Sequence, residues 1–124
     1  LKGSSNFFNG SVISYSNDLK KSLLYVNKNT LKLYGAVSHQ TALEMTKGLK
    51  RRTGSEILIS ITGVAGPDGG SKATPVGCVF FGIGIKKKSK YKYKTFKKIF
   101  KETSRNKIQI ASSEYAINLI LKEI

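Results

Sequence analysis

Ile57-Leu58-Ile59-Ser60-Ile61 runs directly into Thr62-Gly63-Val64-Ala65-Gly66-Pro67-Asp68-Gly69-Gly70, and a second apolar run, Val76 to Ile85, follows. The two runs read as strands buried on both faces, because only burial on both faces favours continuous apolar sequence. The stretch between them holds four glycines and Pro67, too many for helix or strand. A glycine-rich loop at the end of a buried strand lets backbone N–H groups approach an anionic or amide-bearing ligand. Thr62 is expected at the exit of the first strand with its hydroxyl facing that space. The plainer reading is a wide turn without chemistry.

Working outward, Ser11–Tyr15 alternates in part and predicts a short strand. Asn17 is placed as an N-cap, with Asp18 in the first turn of a helix running to about Tyr25. Asn27-Lys28-Asn29 is read as a break, and Thr30 as the cap of a short helical turn ending near Gly35. Ser38 caps the next helix, in which Ala42, Leu43, Met45 and Leu49 recur at helical spacing and Gly54 is the stop. Glu56–Ile61 and Val76–Ile85 are the strands, separated by a loop over Thr62–Pro75. Lys86–Lys90 is a charged turn. Tyr91–Phe96 alternates strictly and predicts a half-exposed strand hairpinned to the one before it. Ser104 caps a last helix with Ile108, Ala111, Tyr115, Leu119 and Lys122 along it. Helices alternating with strands, plus one hairpin, predict an α/β fold: a three-layer α/β/α sandwich on a mixed, mostly parallel sheet.

The chain's 124 residues make one domain, 1–124, large enough to bury a core. No apolar run approaches the roughly 20 residues of a membrane span, and no signal-peptide pattern is present, so a cytoplasmic protein with no membrane partner is expected. The single cysteine, Cys78, excludes a disulfide framework and a cysteine zinc site. It lies in an apolar run and reads as buried filler. His39, the only histidine, falls in a first helical turn and reads as structural, with no metal partner.

The formal net charge is +15, from 22 basic and 7 acidic residues. Such a balance points to a polyanionic partner or to a lysine-rich proteome. Arginine, the usual base-reading cation, occurs only at 51, 52 and 105. The tract Lys86–Lys101 interleaves cations and aromatics, as single-strand platforms do. Its Tyr and Lys fall on opposite faces of one strand, however, and lysines also guard edge strands against aggregation. A nucleic-acid partner is therefore not expected.

Tyr15-Ser16-Asn17-Asp18-Leu19-Lys20 joins a strand end to a helix start. Lys20 in the first turn, at the positive dipole end and partly buried, has the setting that lowers an ammonium pKa. Such a lysine can act as general base toward a hydroxyl nucleophile, and Tyr15 can hydrogen-bond beside it.

Taken together, several motifs resemble the CinA C-terminal domain family, the bacterial nicotinamide-nucleotide amidohydrolases. They are Gly3-Ser4-Ser5, Tyr15-Ser16-Asn17 with Lys20, Gly35-Ala36-Val37-Ser38, Thr62-Gly63-Val64-Ala65-Gly66-Pro67 with Gly69-Gly70, Pro75-Val76-Gly77, and Arg105. The resemblance implies hydrolysis of the carboxamide of nicotinamide mononucleotide to nicotinic acid mononucleotide and ammonia. The implied partner is a small nucleotide substrate, and no metal or organic cofactor is implied. Lys20, Tyr15 and Thr62 match positions that assist catalysis; Asn17, Gly63, Ala65, Gly66 and Arg105 match positions that bind substrate. In chemical terms Lys20 would be the base, the N–H groups of Gly63–Gly66 and the Thr62 hydroxyl the oxyanion donors, and Arg105 the phosphate counter-charge.

In the family an E-S-C-T-G-G stretch carrying the proposed serine nucleophile precedes the Gly-Ser-Ser segment. The chain begins past that point, so the expectation is a domain without its nucleophile segment and with little or no activity. Exposed apolar surface around Phe7 and Phe8 would then favour self-association, and a homo-oligomer is within the expectation. Two other readings stand beside this one: a basic nucleic-acid-binding module using Lys86–Lys101, and a non-catalytic remnant that keeps the fold.

Overall fold

A computed structural model describes residues 2–124. The elements are a short 3-10 turn at Ser4–Asn6, α1 Asn17–Leu24, α2 Lys28–Tyr34, α3 His39–Thr53, β1 Ile57–Gly63, β2 Cys78–Lys87, β3 Lys90–Ile99 and α4 Arg105–Glu123. The three strands form one sheet in the order β1-β2-β3, and both pairings are antiparallel.

This sheet is α/β in composition but not mostly parallel as expected. The reason lies in the connection from Gly63 to Cys78, which holds no helix. A parallel pair needs a crossover, usually helical, to bring the chain back to the starting end. Here the glycine-rich loop turns the chain around instead, and Val76 belongs to the loop rather than to β2. The expectation of two strands buried on both faces also fails for β1. Among the described residues it is an edge strand, and Ile57 and Ile61 remain 44% and 39% exposed. β2 is the strand buried on both faces, from Cys78 through Ile85.

Helices pack on the two faces of β2. Cys78 and Phe80 pack with Ala42 of α3. Val79, Phe81, Ile83 and Ile85 pack with Ile108, Ala116 and Leu119 of α4. On the α3 side the approach is close enough to require Gly82. A Cβ there would meet the Thr46 hydroxyl, stand 2.6 Å from the Ala42 carbonyl and stand 2.7 Å from Ser60 Oγ. Those three groups form a buried network: Thr46 Oγ1 and Ser60 Oγ are 2.8 Å apart, and Ser60 donates to Ala42 O at 2.7 Å. At Gly77, φ is +90° and a Cβ would collide with the Phe100 carbonyl, so both conformation and space demand glycine.

The helix ends show how local chemistry set the boundaries. Ser38 Oγ accepts from Thr41 N at 3.1 Å and Gly54 closes α3 with φ 64°, both as expected. Ser104 caps α4 by accepting from Lys107 N. Asn17 is not the cap of α1. Ser16 is, accepting from Leu19 N at 3.1 Å, and Asn17 is the first helical residue. Likewise Asn27, not Thr30, caps α2, so Asn27-Lys28-Asn29 starts a helix rather than breaking one. In both cases the earlier of two capping residues won, since each can accept from an N–H two or three residues on.

Ser11–Tyr15 is not a strand, because no described neighbour supplies a ladder of hydrogen bonds. It alternates all the same. Val12 packs against the cluster of Leu24, Val26 and Met45, while Ile13 and Tyr15 are exposed.

Candidate functional site

The residues singled out from the sequence fall into two groups, and α3 braces both. The first group is Tyr15, Asn17 and Lys20. α1 lies against α3 at Gly48, where a Cβ would collide with the Leu24 carbonyl, and this contact seats Lys20. The Lys20 side chain is buried. Its Nζ donates to Ser14 O at 2.8 Å and to Tyr15 O at 3.3 Å. No carboxylate pairs with it among the described residues. Burial therefore pushes its pKa down, with no counter-charge to restore it. The Tyr15 side chain is 80% exposed, and the Asn17 side chain is exposed at the helix start.

The second group is the loop after β1. Thr62 is buried, and its hydroxyl donates to Ala36 O at 2.7 Å. This corrects the expectation that the hydroxyl faces the loop. A hydroxyl has one proton to donate, and here Ala36 receives it. Thr62 thus ties β1 to the Gly35–Ser38 segment. That segment is held further by two hydroxyls that donate to Gly35 O, Thr41 Oγ1 at 2.6 Å and Ser38 Oγ at 3.2 Å. We expect Thr62→Val to lose about 1–3 kcal/mol of stability by leaving the Ala36 carbonyl unpaired. Urea unfolding measures it, and an unchanged midpoint would sink the assignment.

Gly63 ends β1 opposite Val79. Val64 N–H donates to Cys78 O at 2.9 Å, so it is not free for a ligand. The Ala65 and Gly66 N–H groups make no hydrogen bond to another described residue. These two are the donors the loop offers. Ala65 also packs against the core under α4. The Gly66 carbonyl accepts from Arg105 Nη1 at 3.2 Å, so the first residue of α4 pins the loop. An exposed guanidinium with one such bond keeps further N–H donors for an anion.

Of the eight residues, then, Thr62, Gly63, Ala65, Gly66 and Arg105 are brought together, and Lys20 and Tyr15 meet beside Asn17. No hydrogen bond joins the two groups among the described residues. Two surface hollows, of about 480 and 270 Å³, lie elsewhere, along α4 and between β2, β3 and Glu123. Neither is lined by any of the eight. Ala36 was quoted only within the Gly35–Ser38 motif and Thr41 not at all; the signal for Thr41 was Ser38-x-x-Thr41 three residues after Gly35. His39 is exposed, with Nδ1 2.9 Å from Thr95 Oγ1. Cys78 is fully buried, and burial pushes its thiol pKa up. No group of three or more metal-ligating side chains occurs among the described residues. No described helix is long and apolar enough to cross a membrane.

Fold and site together define an α/β domain whose glycine-rich loop is pinned by an arginine and whose first long helix carries a buried lysine. The chain belongs to the CinA C-terminal domain family, whose model matches residues 1–124. A CinA-like protein of Thermotoga neapolitana is 41% identical over all 124 residues, which are 29% of that protein. A putative competence-damage inducible protein of Clostridium novyi is 55% identical over 84 residues, 68% of this chain and 20% of the other. The chain thus spans less than a third of these relatives. Among solved structures, a competence-damaged protein (CinA) superfamily protein of Enterobacter cloacae superposes with a TM-score of 0.88 at 25% identity, covering 98% of this chain and 69% of that one. A competence/damage inducible protein of Agrobacterium tumefaciens gives 0.80 at 32% identity, covering 87% and 64%.

Proposed function

We propose that the domain serves hydrolysis of a nucleotide carboxamide, with nicotinamide mononucleotide as substrate and Lys20 as general base. The observation that carries this reading is the environment of Lys20. A neutral amine has two N–H groups and one lone pair. Two backbone carbonyls, Ser14 O and Tyr15 O, accept from this nitrogen, which leaves the lone pair of the neutral form to take a proton. Burial without a carboxylate favours that neutral form. Lys20 would take the proton of a serine hydroxyl as it attacks the carboxamide carbon, then deliver it to the departing nitrogen, which leaves as ammonia. The Ala65 and Gly66 N–H groups suit the tetrahedral oxyanion, and Arg105 suits the nucleotide phosphate. Thr62 acts on the loop through Ala36 rather than on the substrate.

The serine that resemblance assigns to an E-S-C-T-G-G stretch is not among residues 1–124. Without a covalent nucleophile, binding and oxyanion stabilisation supply only about 10³–10⁴-fold over water. The expected result is no ammonia release from nicotinamide mononucleotide by the 124-residue chain, and robust release when an E-S-C-T-G-G-bearing segment from a family member is joined to it. Turnover by the chain as it stands, or none after joining in a folded product, would overturn the reading.

A further inference from the structure

The objection to a nucleic-acid surface was that Tyr and Lys alternate across β3 and cannot share a face. From Tyr91 to Thr95 this is true, but α3 and the end of the strand supply the missing cations. Lys50 Nζ lies 5.7 Å from the centre of the Tyr91 ring, and Lys47 Nζ lies 5.7 Å from that of Tyr93. The two tyrosine rings stack, 6.0 Å apart with planes 17° from parallel. On the same side of the sheet Lys97 Nζ lies 5.6 Å from the Phe80 ring. Across the outer face of α3, Arg51 lies 3.9 Å over Tyr25, which is 42% exposed. Aromatic and cation therefore alternate across one surface, from Tyr25 over α3 to Tyr91, Tyr93 and Lys97.

Charge on this surface is in excess. Lys47, Lys50, Arg51 and Lys97 are exposed, and no described carboxylate pairs with any of them. Glu56, exposed next to Ser55, is the one carboxylate at the end of this surface, and it makes no ion pair among the described residues; the other acidic groups nearby are committed elsewhere. Glu44 accepts from Asn27 N and the Thr30 hydroxyl, Asp18 pairs with Lys21, and Glu123 pairs with Lys94 on the α4 side. Lys92 and Lys94 line the hollow on that opposite side and do not belong to the surface.

We propose that this seam between α3 and β3 binds single-stranded nucleic acid, its cations holding phosphates and its tyrosines stacking on bases. A chain that repeats phosphate and planar base matches a surface that repeats cation and ring. The ammonium groups now resting over the rings can move to phosphates, since an exposed cation–π contact is weak. Half-buried Tyr91 is held in place by its hydroxyl, which donates to Gly54 O or Ser55 O, each 2.9 Å away. The seam is distinct from Lys20 and the Thr62–Gly66 loop, and the proposal does not rest on the amidohydrolase reading.

The test is fluorescence anisotropy of the chain with a labelled 20-nucleotide oligothymidylate between 50 and 200 mM salt. Micromolar binding is expected, with a log–log salt slope of about −3, since four cations each contribute about −0.7 on a single strand. Two triple variants change net charge equally. Lys47→Glu/Lys50→Glu/Lys97→Glu should weaken binding at least about 30-fold, whereas Lys90→Glu/Lys92→Glu/Lys94→Glu should weaken it less than about 5-fold. Tyr93→Leu should cost about 10-fold for oligothymidylate and nothing for inorganic polyphosphate. Far-ultraviolet circular dichroism confirms that each variant is folded. Equal weakening by the two triple variants would reduce the effect to net charge and overturn the seam. An unchanged affinity in Tyr93→Leu would overturn base stacking, and absence of binding at 50 mM salt would overturn the whole proposal.

Discussion

Phe81→Ala is expected to remove about 3–5 kcal/mol of stability, the largest single loss in the domain. Phe81 is fully buried at the middle of β2, facing α4. Its ring meets Tyr115 at 5.1 Å and Phe100 at 6.4 Å, and those two meet each other edge-on at 5.8 Å and 88°. Truncation removes the transfer free energy of the ring, leaves a cavity under α4, and breaks two aromatic contacts worth about 0.5–1.5 kcal/mol each. A domain with about 5–15 kcal/mol in total keeps little margin after that. The measurement is a urea transition, read as a lower midpoint at constant slope. A loss under about 1.5 kcal/mol would mean that the α4 side of β2 is not the main core.

Lys20→Met, made in the chain joined to a nucleophile-bearing segment, is expected to lower kcat by about 10²–10⁴-fold, the usual contribution of a positioned base. The same change should leave the melting temperature equal or higher at neutral pH, because it relieves the cost of burying an amine that is protonated and hydrated in the unfolded chain. The sign follows from proton linkage. The folded pKa of Lys20 lies below its unfolded value. Between the two the unfolded chain binds more protons, so wild-type stability rises with pH across that window. Below it both states are charged and the burial penalty stands in full. The stability advantage of Lys20→Met should therefore be greatest below the folded pKa and shrink as pH climbs toward the ordinary lysine value. The loss of two hydrogen bonds, to Ser14 O and Tyr15 O, opposes it throughout. A marked fall in melting temperature together with unaltered kcat would show Lys20 to be a structural strut.

Much of the architecture was legible in the residues, because local signals carry it. Ser38 and Gly54 bound α3, Ser104 opens α4, and the period-two alternation of Tyr91–Phe96 marks β3; each acts through neighbours within a few positions. The family resemblance likewise rested on motifs whose residues are adjacent in the chain. The alternation of β3 was read correctly, but the conclusion that its tyrosines lack cations was not. Lys47 and Lys50 reach those rings from a helix more than forty positions earlier, and no local pattern announces that.

By itself the sequence determined the three strands of the sheet, the helices α1, α3 and α4, the caps of α3 and α4, the loop at Thr62–Gly70 and the family; it misplaced the caps of α1 and α2 and read a strand at Ser11–Tyr15 that does not form. Strand direction was a matter for the tertiary structure. The apolar runs at Ile57–Ile61 and Val76–Ile85 have the same composition whether paired parallel or antiparallel; the helix-free return through Gly66 and Gly77 chose antiparallel and left β1 at an edge. Tertiary structure likewise decided where the Thr62 hydroxyl donates. That hydroxyl was equally able to face a ligand or a carbonyl, and the approach of Ala36 gave it the carbonyl. In both cases hydrogen bonds between residues far apart in the chain selected among alternatives that local chemistry leaves nearly equal in energy.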